Sequence, residues 1–373
     1  MSDAPITYAA AGVDVEAGDR AVELMKAAVA RASRPEVVGG LGGFAGLFDA
    51  SALQGMTRPV LATSTDGVGT KVAIAQAMDQ HDTIGFDLVG MVVDDIVVSG
   101  AEPLFMTDYI ACGKVVPERI AAIVGGIARA CEQAGTALVG GETAEHPGLL
   151  GAEEYDVAGA ATGVVEHDEI LGPQRVAHGD VVLALASSGL HANGFSLVRR
   201  VIASAGWTLD REVAEFGQSL GAELLNPTRV YAADLLALIR DPGVRAAGGI
   251  HALSHVTGGG LAANLARVLP AGSLARLDRG TWTPAAVFTT IGALGKVPLA
   301  DLERTLNMGV GFVAVLPAEA ADAAIGVLAA RGVVAWPLGE VGPAGDLVAG
   351  VDVVQGAKGV DGGAVQLLGS YRP

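Results

Sequence analysis

Residues 59–71 read PVLATSTDGVGTK: an apolar, β-prone run from Pro59 to Thr65 that ends in a carboxylate, two glycines, a hydroxyl and a lysine. Small and β-branched residues closed off by glycines mark a buried strand. Ligands of α/β proteins gather at such strand ends. The turn groups Asp66, Gly67, Gly69, Thr70 and Lys71, which makes Asp66 a candidate Mg²⁺ ligand and Lys71 a candidate phosphate contact. A tight turn with a solvated lysine explains the same letters equally well. The carboxylates elsewhere in the chain favour a site.

The first of these lie in LVGMVVDDIVVSG, Leu88 to Gly100, within a helix expected over Ile84–Ser99. Adjacent helical residues point about 100° apart, so in this apolar setting at least one of Asp94 and Asp95 faces the interior. A buried carboxylate is costly unless paired or metal-bound. Glu142 follows Gly140 and Gly141 at what reads as another strand end. Asp66, Asp94, Asp95 and Glu142 together suit one or two Mg²⁺ ions on a nucleotide triphosphate. No P-loop competes, because Gly113-Lys114 and Gly295-Lys296 are both followed by Val. The run Gly40-x-Gly42-x-x-Ala45 has the letters of a dinucleotide fingerprint but no strand before it. It reads as a loop, or as a lid in which Gly39, Gly40, Gly42 and Gly43 fold over phosphates.

Further helices are expected over Glu16–Ser33 and Pro117–Ala134, and strands over Leu104–Ala111 and Tyr155–Val165. Past Pro173 the pattern restarts with strand Val181–Ala186. A turn follows, Ser187 to Gly194, carrying Ser188, His191 and Asn193; His191 can serve as acid, base or hydrogen-bond donor. Thr257, Gly258, Gly259 and Gly260 open a helix, where free N–H groups favour a phosphate monoester. Later come strand Val310–Leu316, helix Ala318–Ala330 and strand Trp336–Val341. The Gly-rich end from Gly342 reads as a tail. The expectation is an α/β (α+β) protein with domains at 1–172 and 173–345 and a tail at 346–373.

The chain has 373 residues, beyond the ~250–300 that one core usually serves. With 24 Lys plus Arg against 41 Asp plus Glu, its net charge is −17. That excludes a general nucleic-acid binder or an anionic-membrane binder, both of which need a cationic face. Cys112 and Cys131, the two cysteines, form no ligand pair. Neither Cys112 nor Ser188 has a base partner, so no hydrolase triad is expected. Met1 to Ala11 lacks the pattern of a signal peptide. The longest uncharged stretches are interrupted by Gly, His, Ser and Asn. A cytoplasmic enzyme of small molecules is the expectation.

DGVGTK at Asp66 resembles the signature of phosphoribosylformylglycinamidine cyclo-ligases, the aminoimidazole ribonucleotide synthetases. RPEVVGGLGGF from Arg34, GAEPLFMTDYIACGK from Gly100, LVGGETAEHPG from Leu138 and YDVAGAATGVV from Tyr155 are similar to that family in order and spacing. So are SSGLHANGFSLVR from Ser187, HVTGGG from His255 and NMGVGFVAVLP from Asn307. The resemblance implies two mixed domains, the N-terminal strands forming a barrel between the subunits of a homodimer. It implies ATP-driven closure of an imidazole ring with Mg²⁺, and leaves room for a monovalent cation. Carried over, it puts Asp66, Asp95 and Glu142 near Mg²⁺–ATP, Lys71 on phosphate, Gly39 to Gly43 in a flap, and Lys26 near the active site. It gives His191 a part in ring closure. Two positions depart from the family: Asp94 stands where Asn is common, and Leu190 where Pro is frequent. Selenophosphate synthetases resemble this architecture but would want a cysteine near the glycine loop. Thiamine-monophosphate kinases would lack the DGVGTK and GGETAE pair. A non-catalytic nucleotide-binding scaffold would have no use for His191.

Overall fold

The computed structural model of the chain describes residues 14–40, 42–356 and 359–372. The N-terminal unit begins with α1 (Val15–Arg31), whose first turn is capped by the Asp14 carboxylate. Short strands β1 (Val37–Val38) and β2 (Leu47–Phe48) pair across the glycine loop, whose Leu41 lies outside the described residues. Then come β3 (Pro59–Gly67), α2 (Val72–Met78), α3 (Ile84–Val98), β4 (Glu102–Cys112), α4 (Pro117–Ala134), β5 (Ala137–Glu145) and β6 (Tyr155–Glu166). Pro117 starts α4 and Gly135, in the left-handed region, ends it, as the sequence predicts. The four long strands form one sheet in the order β3-β6-β4-β5, with only β4 and β5 parallel.

One face of this sheet is covered by α3, apolar on nearly every side and therefore buried. Leu88 sits against Gly159 and Ile96 against Gly163. The other face is open and carries the exposed Leu61 and Tyr109.

The C-terminal unit contains β7 (Val181–Ala186), α5 (Phe195–Ala205), β8 (Glu212–Val213), β9 (Gln218–Ser219), α6 (Leu220–Leu224), α7 (Ala232–Arg240) and α8 (Pro242–Ala246). It continues with β10 (Ala252–His255), α9 (Gly260–Arg267), β11 (Ser273–Asp278), α10 (Ala286–Gly295), α11 (Leu299–Thr305), β12 (Val310–Leu316), α12 (Ala321–Ala330) and β13 (Ala335–Pro343). Strands β14 (Val354–Gln355) and β15 (Ala364–Leu368) complete it. The sheet order is β10-β12-β7-β13-β11-β15-β14. The stretch read as a tail is therefore partly core: β15 pairs in parallel with β11, and Val365 is fully buried. Its glycines hid a strand of only five residues.

The two units share one apolar core, in which Leu88 and Val92 of α3 belong with Leu235 and Phe312 of the C-terminal unit. A second core lies on the other side of the C-terminal sheet, around Leu261, Leu265 and Val313. The joint is polar where α3 meets the C-terminal loops. Asp87, Met91, Asp94 and Asp95 follow the i, i+4, i+7, i+8 spacing of one helix face. Each of the four contacts a C-terminal residue.

Candidate active site

Asp66 stands at the end of β3, exposed, with one carboxylate oxygen accepting the Gly67 N–H at 2.7 Å. Asp95 is also open to water, and its Oδ1 lies 2.9 Å from His255 Nδ1. His255 is buried and stacks on Phe312, with ring centroids 5.3 Å apart. Asp94 takes the interior position. Both its oxygens accept the Tyr231 N–H at 3.0 Å, which caps the start of α7. Burial pushes its carboxyl up to about 7, against the pull of His255 and the backbone N–H groups. Asp94 thus fastens one unit to the other and lines neither of the two cavities described below.

Glu142 lies within β5 rather than at its end, which corrects the expected strand boundary. Register shows how far it stands from Asp66. Gly67, Ala158, Tyr109 and Glu142 form one row across the four strands, and Asp66, Gly159, Asp108 and Gly141 the next. Residues in one row share a face. Asp66 and Asp108 therefore face the helices, while Glu142 and Tyr109 face the open side. Three strand spacings of ~4.8 Å put Glu142 roughly 14 Å from the Asp66 edge. Asp95 is distant as well. Leu88 is level with Asp66 and Ile96 with Ala62. Those eight helical residues span about 12 Å. A single ion cannot take all three carboxylates in one chain. Among the described residues no group of three or more His, Cys, Asp or Glu is placed to hold a metal.

A cavity of about 840 Å³ opens between α1, the glycine loop and the β5 edge. Gly40, Gly42, Gly43, Gly140, Gly141 and Glu142 line it. Gly39 and Gly42 adopt φ of 92° and 100°, backbone that suits glycine. An adjoining cavity of about 330 Å³ is lined by Lys26, whose ammonium also pairs with Glu23. Asp108 borders the larger space. It is 8% exposed, and burial raises its carboxyl to about 7. A side chain at position 141 would collide with it, because an added Cβ would lie 2.2 Å from Asp108 Oδ1.

The Ser187–Gly194 turn joins β7 to α5 as expected. His191 adopts φ of 61°, rare for a residue other than glycine. Its Nε2 accepts the Ser188 N–H at 3.1 Å. The network therefore assigns the proton to Nδ1, which is buried without a partner. Burial first, then the neighbouring His255, Lys71 and Arg229, pulls its pKa well below 6.5, so the ring is neutral. Asn193 Nδ2 reaches Met91 Sδ at 3.1 Å, and Gly258 lies beside Asn193. Thr257 to Gly260 lead into α9, with Gly259 and Gly260 at φ of 109° and 73°. Asn264 holds this loop through the Thr257 and Gly260 carbonyls. Ser188 Oγ donates to the Pro227 carbonyl at 2.7 Å.

Lys71 departs from the expectation of a phosphate contact. It is fully buried, and its Nζ meets Asp87 Oδ1 at 2.7 Å, the His191 carbonyl at 3.0 Å and the Asn226 carbonyl at 2.7 Å. Asp87 had no place in the sequence reading, nor did Thr228, which donates to it through both N–H and hydroxyl. The helical spacing from Asp94 and Asp95 is the signal that could have found Asp87. Asp108 carried no such signal, since one acid in an apolar strand gives no period to read.

Two mixed domains, a glycine loop over a cavity and carboxylates flanking the joint define an α/β enzyme architecture of the kind that handles nucleotides. The AIR synthase related protein family matches here in both parts, its N-terminal domain over residues 48–165 and its C-terminal domain over residues 177–352. A phosphoribosylformylglycinamidine cyclo-ligase of Desulfitobacterium hafniense is 49% identical over 335 residues, 90% of this chain and 96% of that protein. One from Sorangium cellulosum is 50% identical over 343 residues, 92% and 97% of the two chains. Among solved structures, thiamine-monophosphate kinase from Stenotrophomonas maltophilia K279a shares the fold with a TM-score of 0.62 at 19% identity, covering 95% of this chain and 97% of that one. Hydrogenase maturation protein HypE does so with a TM-score of 0.60 at 20% identity, covering 93% and 98%. The chain belongs to the phosphoribosylformylglycinamidine cyclo-ligase family.

Proposed function

We propose that the chain closes the imidazole ring of aminoimidazole ribonucleotide from formylglycinamidine ribonucleotide, with ATP converted to ADP and phosphate. The observation that carries this is near-50% identity over nine-tenths of the chain to cyclo-ligases from Desulfitobacterium hafniense and Sorangium cellulosum. The formyl oxygen takes the γ-phosphoryl group as the bond to ADP breaks. The amidine nitrogen then bonds to the formyl carbon, its proton departs, and the carbon–oxygen bond breaks to release phosphate. Positioning and charge stabilisation are the protein's main contributions to such steps.

The cavity under the glycine loop has the size of a nucleotide site, with Gly140, Gly141 and Glu142 around it and Lys26 on the adjoining cavity. Thr257, Gly258 and Gly259 offer N–H groups to the ribotide phosphate, while the Gly260 N–H closes the loop on the Thr257 carbonyl, with Ser188 and Asn193 nearby. His191 serves as a donor through Nδ1–H. Its Nε2 lone pair is occupied by Ser188, so it is no base in this arrangement. Asp66 and Asp95 have water-exposed carboxylates suited to Mg²⁺, which takes one or two carboxylates and fills its other positions with phosphate and water. Such an ion would neutralise charge on the transferring phosphate. Their separation in one chain favours two ions over one shared ion. A homodimer in the cytoplasm completes the reading, and a monovalent cation fits beside the phosphates.

The test is isotopic. With ¹⁸O in the formyl group, one labelled oxygen should appear in phosphate for each ring closed. Label kept in the nucleotide or lost to water would reject the mechanism.

A further inference from the structure

We infer that Lys71 is a positioning residue that holds the His191 turn in place, and not a cation for the ATP phosphates. The inference rests on the proposed role of His191 in ring closure. Three acceptors surround Nζ, and three N–H bonds exist only in the ammonium form. No donor is left for a phosphate. The side chain is 0% exposed, so no phosphate reaches it without the joint opening.

The acceptors come from three separate pieces of chain. Asp87 belongs to α3 of the N-terminal unit, while His191 and Asn226 belong to two loops of the C-terminal unit. Asp87 Oδ1 also takes both donors of Thr228 and so locks the second loop to the same helix. The lysine bond to the His191 carbonyl falls on a residue with φ of 61°, a conformation that persists only when its surroundings impose it. The ring itself is held by the Ser188 N–H on Nε2, by Tyr231 with ring centroids 6.1 Å apart, and by the close approach of Gly311, where an added Cβ would lie 2.6 Å from Cε1. Among the described residues, Lys71 is the one charged group that bonds the backbone of His191 itself. It also follows Asp66 by five residues in the same turn. A shift of that turn on nucleotide binding would therefore move His191.

Lysine acylation of the native enzyme, read by mass spectrometry, gives the first test. Lys71 is expected to stay unmodified with and without Mg²⁺–ATP. Modification in the free enzyme with protection by ATP would place it on a phosphate and overturn the inference. The second test is the double variant Lys71→Met with Asp87→Leu, in which apolar side chains of similar size replace the buried pair, a change that folded proteins often accept. It is expected to bind ATP as the parent does in calorimetry and to lose turnover about 10²-fold. Tenfold weaker ATP binding, or parental turnover, would overturn the inference. His191→Ala separates the two failures. Parental turnover in that variant removes His191 from the reaction. A slow His191→Ala beside a fast double variant leaves His191 in its role and removes only Lys71.

Discussion

Asp94 shows what one side chain can be made to do by its surroundings. In a helix of apolar residues it became a cap for α7, at the expense of a carboxyl raised by burial to about 7. A folded-state value above the unfolded one of about 3.9 means that folding favours the protonated acid. The associated stability is complete below about pH 4 and is lost as pH rises to about 7. Asp94→Asn keeps an acceptor for the Tyr231 N–H and has no proton to lose. Relative to the parent, it should gain about 3 kcal/mol between pH 5 and pH 8, at roughly 1.4 kcal/mol per pKa unit. Urea unfolding at the two pH values measures this, and equal differences at both would reject the assignment. His191 gives the complementary prediction. Because its ring is neutral and donates through Nδ1, His191→Ala should lower turnover by about 10²–10³-fold, the loss typical of one charge-stabilising donor, while ATP binding persists. Turnover should also show no ionisation of this histidine between pH 6 and 8, since burial holds its pKa well below 6.5.

Among the elements, α3 carries the joint, and its own placement depends on glycine. At Gly85 an added Cβ would lie 1.9 Å from the Ile127 nitrogen, and at Gly126 it would lie 2.2 Å from the Asp82 carbonyl oxygen. The two helices touch backbone to backbone, so the neighbours cannot yield as a side chain would. Gly85→Ala should destabilise the protein by more than about 2 kcal/mol, the upper range for overpacking, despite alanine's better helix propensity. A denaturation midpoint at or above the parent's would contradict that packing. The long elements were legible because their periods and punctuation agree: Pro117 and Gly135 bound α4, and the apolar run at Ile84 told of burial. Which partner satisfies each buried acid was not legible. Thr228, which donates to Asp87, lies 141 residues away and Tyr231, which donates to Asp94, lies 137 residues away, and no local pattern records a contact at that distance. Glu142 misled for a related reason. Its glycines suggested a strand end, but Gly141 is needed inside β5 to clear Asp108. Strand β15 was missed because five residues among glycines give too short a pattern.

For the whole molecule, the parts of the proposed site do not meet within one chain. Asp66 stands at the β3 edge on the helix side, and Glu142 with the nucleotide-sized cavity stands at the β5 edge roughly 14 Å away. Both edges are unpaired among the described residues, and the face between them exposes Leu61 and Tyr109. Open edges beside an apolar face are what a second copy covers, and a two-fold partner presents the same surface in return. Such a partner can bring the β5 edge of one chain to the β3 edge of the other, which would place Glu142 of one subunit near Asp66 of the next. The expected species in sedimentation is near 75 kDa, twice the 37.4 kDa chain, and Leu61→Arg should shift it toward monomer with loss of activity. The sharper experiment mixes two inactive variants, Asp66→Ala and Glu142→Ala, under conditions that exchange subunits. Half of the random dimers are then mixed, and each mixed dimer has one site with both acids mutated and one with both intact. Recovery should approach about a quarter of parental activity. No recovery from a demonstrated heterodimer would mean that each chain builds its site alone, and Glu142 would lose its proposed place near Asp66.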